Sequence, residues 1–254
     1  MKIAIFSDIH EDYPRLAEAS KLAEKKKCDQ CFCLGDITGY SAPYYTHFET
    51  RDANSCVELV KSKCAYSVSG NHDLFALRKI PEFKAGFDYP ETWYSLDFSV
   101  RQKLSQGLLW LYEDEELSPL LDQTSKKYLN DLPEYQIATL NDQDFLLSHF
   151  ILPDISGSQR SFPIDSDDYV QHFEFMEENN CMIAFCGHAH PEGALIATSR
   201  KVKTLIFGVH SLKERPQIII APPIASSRRT NGFMIFDIGE MTIEVIPLSG
   251  ARGK

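Results

Sequence analysis

The 254-residue sequence lacks long apolar stretches and any excess of basic side chains. About 18 consecutive apolar residues are needed to cross a bilayer and no such run occurs, so we expect no membrane partner. The apolar run at Met1 to Phe6 is too short for a signal peptide and lacks a small-residue cleavage site, which predicts a cytoplasmic protein. Lysine and arginine number 26 against 36 aspartates and glutamates, a formal net charge of -10. Since long nucleic acids attract clustered basic side chains, we expect no polymeric nucleic acid as a partner.

The seven cysteines lack the pattern of a disulfide framework or a structural metal site. Their number is odd, and Cys31, Cys33 and Cys186 lie in apolar, strand-like runs, which predicts reduced thiols in a cytoplasm. Cys28, Cys31 and Cys33 suggest a metal knuckle as an alternative, but a second Cys or His pair at zinc-finger spacing is missing. Packing of small apolar side chains on a buried strand is the favoured interpretation.

The composition itself is that of a globular protein, with 43% hydrophobic and 24% charged residues. A single α/β domain of this length can bury a sizeable core. We therefore expect one domain over residues 1–254, and its oligomeric state stays open.

Apolar runs alternate with amphipathic segments in the first third of the chain. The predicted elements are a strand at 2–7, a helix at 13–27, a strand at 28–34, a helix around 53–60 and a strand at 65–69. This order predicts βαβ units and a largely parallel sheet with polar residues at the carboxyl ends of its strands, the edge where ligands bind.

The middle of the chain is less regular. Residues 76–133 combine crowded aromatics with leucines at helical spacing, which predicts a mostly helical, aromatic-rich insertion that includes a helix at 126–132. The remaining predicted elements are a hairpin of 136–140 and 144–147 turning at Asn141-Asp142, a helix around 169–176, a strand at 181–186, and tail strands at 204–207, 217–221, 232–237 and 242–246. We expect the tail strands to form a second, mixed or antiparallel sheet.

Side chains with metal-binding chemistry follow apolar runs at five places. The candidate ligands are Asp8, His10, Asp36, Asn71, His149, His188 and His190. All offer oxygen or nitrogen, which suits manganese, iron or zinc in a catalytic site better than a structural zinc. Two cations about 3.5–4 Å apart need a shared anionic ligand, and Asp36 is the predicted bridge.

The ordered motifs resemble those of the calcineurin-like metallophosphoesterases, especially the small bacterial phosphodiesterases. They are Asp8-x-His10, Gly35-Asp36, Gly70-Asn71-His72-Asp73, His149 and Gly187-His188-x-His190. The resemblance implies an α/β (α+β) fold, a four-layer αββα sandwich of two mixed sheets flanked by helices, with a dinuclear site at the strand ends. One metal would take Asp8, His10, Asp36 and His190, and the other Asp36, Asn71, His149 and His188. His72 would contact phosphoryl oxygens and protonate the leaving group, and Asp73 would orient His72.

The chain departs from this family pattern beside the ligands. Glu11-Asp12 stands where relatives have Gly-Asn, which adds charge near the metals, and an extra stretch, Ala42 to Asp52, carries several aromatics. We expect this stretch and the region Phe83 to Phe98 to form a partial lid that favours substrates with a planar group. The competing interpretation is a subsidiary aromatic core.

Other polar residues are expected to have structural roles. His47, His172 and His210 match no motif and are predicted to be surface or satisfied core histidines. Arg228-Arg229 suits a clamp for a distal phosphate, but a solvated turn is the favoured interpretation.

The leading functional hypothesis is hydrolysis of a small phosphodiester or phosphomonoester, nucleotide-like in shape, through a dinuclear metal centre and metal-activated water. The alternative is a catalytically weak scaffold, or protein-interaction member, of the same fold. A nuclease of the same superfamily is disfavoured by the acidic balance.

Overall fold

The computed structural model describes residues 1–213, 216–225 and 230–249. The strands are β1 (Lys2–Phe6), β2 (Gln30–Cys33), β3 (Tyr40–Ser41), β4 (Cys64–Ser67), β5 (Glu116–Leu117), β6 (Tyr135–Leu140), β7 (Gln143–Ser148), β8 (Ile183–Cys186), β9 (Ala194–Thr198), β10 (Lys201–Leu205), β11 (Gly208–Ser211), β12 (Gln217–Ile220), β13 (Gly232–Asp237) and β14 (Thr242–Pro247). The α-helices are α1 (Tyr13–Lys25), α2 (Ala53–Lys63), α3 (Asn71–Ala76), α4 (Phe98–Ser105), α5 (Gln123–Asp131) and α6 (Val170–Glu178). None of the helices in these ranges is long and apolar enough to cross a bilayer.

Two six-stranded sheets carry the fold. The first has the order β11-β14-β13-β1-β2-β4 and the second has the order β10-β9-β12-β8-β7-β6. Parallel pairing joins β1, β2 and β4 in the first sheet and β12, β8 and β7 in the second, while the remaining strands of both sheets pair antiparallel with their neighbours. Both sheets are therefore mixed, as the motif resemblance implied.

Side chains of β1 show how the layers form. Ile3 and Ile5 belong to the core between the two sheets, whereas Ala4 and Phe6 pack against the helices on the outer face. Side chains of a strand alternate between its two faces, so a strand covered on both faces must be apolar throughout. Helices α1, α2 and α5 cover the first sheet and α6 covers the second, which completes the αββα sandwich.

Carboxylates and turn residues fix where these elements begin. The side chains of Asp12, Asp52 and Asp122 accept hydrogen bonds from backbone amides in the first turns of α1, α2 and α5. Asn141 and Asp142 adopt φ angles of 49° and 59°, which the tight turn between β6 and β7 requires. The predicted hairpin is confirmed.

The prediction that the tail strands form a second sheet of their own is wrong. Strands β11, β13 and β14 extend the first sheet, and β9, β10 and β12 join β8 in the second. The strand predicted at 204–207 is also interrupted, because β10 ends at Leu205 and β11 begins at Gly208, whose φ is +128°. The tail thus supplies antiparallel strands to both sheets.

The expectation of a mostly helical segment at 76–133 is corrected as well. Between α3 and β6 the structure has only two α-helices, α4 and α5. Helix α4 ends at Ser105 and is followed by Gln106 and Gly107, both left-handed at φ +48° and +79°. Leu108 and Leu111 therefore lie outside it. That the segment is an insertion into a single domain over residues 1–254 stays a prediction.

Candidate metal centre

The carboxyl ends of strands from both sheets meet at one place, and the seven predicted ligands lie there. Asp8 and His10 follow β1, Asp36 follows β2, Asn71 begins α3 after β4, His149 follows β7, and His188 and His190 follow β8. Parallel neighbours deliver their carboxyl ends to a common edge, which explains why segments so far apart in sequence converge.

One group of ligand atoms surrounds Asp8. The Oδ1 atom of Asp8 lies 2.9 Å from Nε2 of His190, and that nitrogen lies 3.3 Å from Nε2 of His10. The ligand atoms of these three residues lie within 4.8 Å of one another. They are close enough to share one cation.

A second group surrounds Asp36. Its Oδ2 atom lies 3.1 Å from Nε2 of His149, and His188 joins the group within the same 4.8 Å limit. Oδ1 of Asn71 lies 3.1 Å from Nδ1 of His188. The same Oδ2 atom of Asp36 is 3.9 Å from Nε2 of His10 in the first group, so this carboxylate links the two groups.

Hydrogen bonds to the backbone fix the orientation of two imidazoles. Nδ1 of His10 donates to the carbonyl oxygen of Gly39 at 2.9 Å, and Nδ1 of His149 donates to that of Leu34 at 2.7 Å. This tautomer leaves the Nε2 lone pair of each ring directed toward the carboxylates. Outer hydrogen bonds of this kind are typical of metal-ligating histidines.

The backbone around the centre is strained. The non-glycine residues with left-handed φ angles here are Asp8 (53°), His10 (46°), Asp36 (52°), His188 (64°) and His190 (47°). Such conformations cost free energy and persist where the surrounding structure enforces them, most often at functional sites. The motif glycines allow close approach, because a Cβ atom on Gly70 would collide with the Asp36 carboxylate and one on Gly187 with Ser7.

The chemistry of the donor set fits divalent cations. Nε2 of His188 is buried and has no hydrogen-bond partner within the described ranges, and the buried Nε2 of His149 faces the carboxylate oxygen of Asp36 at 3.1 Å. Burial alone would raise the pKa of Asp8, but the charges of His190 and His149 lower it below its usual value. Burial would lower the pKa of His149, but Asp36 raises it to about 9. Buried carboxylates thus depend on a positive charge that a metal can supply in place of protons.

The added charges at Glu11-Asp12 are paired with groups outside the candidate ligand set. Glu11 pairs with Arg51 at 2.9 Å and accepts hydrogen bonds from the amides of Gly39 and Tyr40. Asp12 caps α1 and pairs with Arg15 at 2.7 Å. The departure from the family pattern therefore serves the local structure and ties residues 42–52 to the first ligand loop.

The orientation of His72 is the main correction to the predicted site. Nδ1 of His72 lies 2.5 Å from Oε2 of Glu116, a carboxylate that sequence reasoning missed. Asp73 instead accepts hydrogen bonds from backbone amides of Ile37, Thr38 and Gly70. Its carboxylate positions the Asp36 loop, so it does not orient the His72 ring as the resemblance implied.

Strand pairing explains how Glu116 reaches the centre. The short strand β5 carries Glu116 and pairs antiparallel with β3, which follows the Asp36 loop. Burial would lower the pKa of His72, but the charges of Glu116 and Asp36 raise it to about 9. Tyr112, in the same segment, accepts a hydrogen bond from Asn71 at 2.5 Å. Both residues lie in an acidic sequence that carries no motif, so no local signal predicted them.

The extra stretch at 42–52 lies against the centre, as expected for a lid. The Tyr45 ring is buried and stacks on His10 with ring centroids 4.8 Å apart. Tyr44 is 40% exposed and lines a cavity of about 570 Å³ beside the ligands. We call this space the aromatic cavity; it is walled by Tyr44, Trp110, Tyr112, Arg160 and Phe162 and reaches Asp36, Asn71, His188 and His190.

The region 83–98 contributes little to that cavity. Tyr89 and Trp93 are buried with Leu109 in a separate aromatic cluster, against which the partly buried Phe87 packs. Phe98 alone of the region lines the aromatic cavity. The competing interpretation, a subsidiary core, therefore describes most of this region.

The histidines and cysteines that were predicted to have structural roles lie in environments that fit those roles. His47 donates from Nε2 to the carbonyl of His10, His172 is buried and accepts from the amide of Leu152, and His210 donates to Ile206. The cysteines at 28, 31 and 33 are free thiols on or beside β2. Arg228-Arg229 lies outside the described residues.

Comparison with known sequences identifies the family. A model of the calcineurin-like phosphoesterase family matches residues 1–192, a range that includes every predicted ligand. The uncharacterised protein MJ0912 of Methanocaldococcus jannaschii is 24% identical over 254 residues, covering 96% of this chain and 86% of that protein.

Solved structures share the fold. A metallophosphoesterase from Sphaerobacter thermophilus superposes with a TM-score of 0.67 at 19% identity, covering 99% of this chain and 89% of the other. Hypothetical protein PH1004 from Pyrococcus horikoshii superposes with a TM-score of 0.59 at 13% identity, covering 97% and 87%. The motifs, the two mixed sheets and the family match agree, and the chain belongs to the calcineurin-like phosphoesterase family.

Proposed function

We propose that this protein hydrolyses a small phosphodiester or phosphomonoester at a centre of two divalent cations, either manganese, iron or zinc. The observation that carries the proposal is the position of Asp36, whose Oδ2 atom lies near His10 on one side and His149 on the other. A carboxylate shared between two ligand groups is what a pair of closely spaced cations needs.

The ligands divide between the two positions as the family pattern implies. One set is Asp8, His10, Asp36 and His190, and the other is Asp36, Asn71, His149 and His188. When bound, two such cations lower the pKa of a water molecule and offset the charge that develops on the phosphoryl group. The buried carboxylates remain negatively charged beside the proposed cation positions. The backbone hydrogen bonds of His10 and His149 keep the imidazole rings in place.

His72 is placed to supply the proton. It is not needed as a ligand, its ring is partly exposed to the aromatic cavity, and Glu116 accepts a hydrogen bond from Nδ1. This leaves Nε2 free to donate to the departing oxygen of the ester. A proton donor held by a carboxylate contributes typically 10²–10⁴-fold to such reactions.

The remaining assignments are also proposals. We expect a small phosphate ester as substrate, rather than a polymeric nucleic acid or a membrane, and a cytoplasmic location supported by seven free thiols. These proposals follow from the acidic charge balance and the residue chemistry of the chain.

Metal analysis and turnover test the function together. Purified protein is loaded with manganese, iron or zinc, and the metal content is compared with hydrolysis of p-nitrophenyl phosphate and bis(p-nitrophenyl) phosphate. We expect about two ions per chain and metal-dependent release of nitrophenol. A protein that binds metal but hydrolyses neither ester, nor any of a panel of natural esters, would be the scaffold alternative.

A further inference from the structure

The wall of the aromatic cavity is built by two chain segments that pair with each other. The amide of Trp110 donates to the carbonyl of Ser158 at 3.1 Å, and the amide of Arg160 donates to that of Leu108 at 2.8 Å. Asp154 accepts hydrogen bonds from the amides of Ser158 and Gln159, which fixes the second segment. The side chains that these segments present are therefore held in position.

Flat surfaces line the wall. The guanidinium carbon of Arg160 lies 4.7 Å from the centroid of the Trp110 ring, so the two planar groups are in contact. The ring of Phe162 is nearly parallel to the imidazole of His188, with centroids 5.2 Å apart and an interplanar angle of 15°. Phe162 is 46% exposed and thus connects a metal ligand to an open aromatic surface.

The charges in the cavity argue against a second phosphate group. Apart from the residues of the metal centre and Glu116, the charged side chains that line it are Asp114, Glu115 and Arg160. Arg160 is the sole lysine or arginine among the described lining residues, and it already contacts Trp110. Two carboxylates repel further phosphates but accept hydrogen bonds from hydroxyl or amino groups.

We propose that the aromatic cavity binds the nucleoside part of an ester that carries a single phosphate group. A nucleoside offers a planar base for Trp110 and Phe162 and hydroxyl donors for Asp114 and Glu115. The cavity volume of about 570 Å³ lies within the range of small-molecule sites. The inference rests on the proposed function only for the position of the phosphate, which faces the metal centre.

Binding of adenosine to the metal-free protein tests the subsite without any turnover. Trp93 is 2% exposed, so quenching of tryptophan fluorescence by adenosine reports on Trp110. The dissociation constant, measured by calorimetry, should rise about 5–150-fold in Trp110→Leu, the range for loss of one base–aromatic contact. Phe162→Ala should weaken binding similarly, and Tyr13→Leu, an exposed aromatic of α1 outside the cavity, should leave it unchanged. Equal affinity in all four proteins, or no binding, would overturn the subsite.

The preference for one phosphate is tested with the metal-loaded protein. We expect a higher kcat/KM for adenosine 5′-monophosphate or its methyl diester than for adenosine 5′-triphosphate, and a smaller difference in Asp114→Asn/Glu115→Gln. Equal use of the triphosphate would contradict this preference. Adenosine binding without hydrolysis of any ester would refute the proposed function and leave the subsite standing, whereas hydrolysis without adenosine binding would refute the subsite alone.

Discussion

The candidate metal ligands and the segment that carries Tyr112 and Glu116 lie together, but different structural elements position them. Each metal ligand follows a strand of one of the two large sheets, directly or within a few residues, and its position is set by sheet topology. Glu116 arrives on a two-residue strand from a mostly irregular segment and contacts His72 through one hydrogen bond. The sheets thus fix the positions of the candidate metal ligands, and the irregular segment supplies the side chains that contact His72 and Asn71 beside them.

The largest effect is expected at the residue that joins the two ligand groups. Asp36→Asn removes the shared anionic charge, so we expect loss of at least one metal per chain and of nearly all turnover. Elemental analysis of the purified variant measures the first and nitrophenol release the second. Unchanged metal content and activity would show that the centre is not dinuclear in the proposed way.

The next effect separates proton donation from metal binding. His72→Ala should retain its metals and lose about 10²–10⁴-fold in turnover, because a positioned proton donor is removed. The loss should be smaller for nitrophenol esters, whose leaving group needs no proton, than for alkyl esters. If both kinds of ester lose activity equally, His72 does not act as the acid.

A smaller effect tests the irregular segment directly. Glu116→Gln keeps the side-chain shape but weakens the hold on His72, so we expect about a 10–100-fold loss of turnover at unchanged metal content. The loss should be larger for alkyl than for nitrophenol esters, as for His72→Ala. Glu91→Gln, an exposed carboxylate of the same segment, serves as the matched control. If an Asp73 variant shows this leaving-group pattern and Glu116→Gln has no effect on turnover, then Asp73 orients His72 as the family resemblance implied.

The smallest effect concerns the stretch at 42–52. Tyr44→Ala should raise KM for a nucleotide-like ester about 5-fold with no change in melting temperature, because this ring is half-exposed at the aromatic cavity. Tyr45→Ala should lower the melting temperature, since loss of a buried aromatic side chain costs about 3–5 kcal/mol. Thermal unfolding and steady-state kinetics of both variants distinguish the roles. If both variants changed KM and melting temperature in the same way, the assignment of Tyr44 to the cavity and Tyr45 to the core would be wrong.

The sequence predicts which candidate ligands lie together because the signals for these residues are local. Apolar runs mark β1, β2 and β8, and the polar residues that end each run must meet at one edge of a sheet. The prediction that the tail strands form a second sheet failed because sheet membership depends on partners far along the chain. Strands β12 and β13 are equally apolar, yet they lie in different sheets.

The partner of His72 was missed for a similar reason. Glu116 lies 44 positions from His72 in the sequence. It is one of several acidic residues in its segment, and the sequence predicts each of them to be a solvent-exposed surface residue. Only the pairing of β5 with β3 shows that Glu116, among these acidic residues, lies beside His72. The family resemblance implied this role for Asp73. At a helix start, however, neighbouring side chains point in different directions, and Asp73 faces the backbone of the Asp36 loop.

The pairing of β1 with β13 has a consequence for biosynthesis. Lys2 lies opposite Asp237, so β1 remains an edge strand on a growing chain until residues 232–237 have been made. Asp8 and His10, which follow β1, are thus among the first ligands synthesised and among the last to gain their final support. The candidate ligands should accordingly reach their final arrangement late in the folding of the nascent polypeptide.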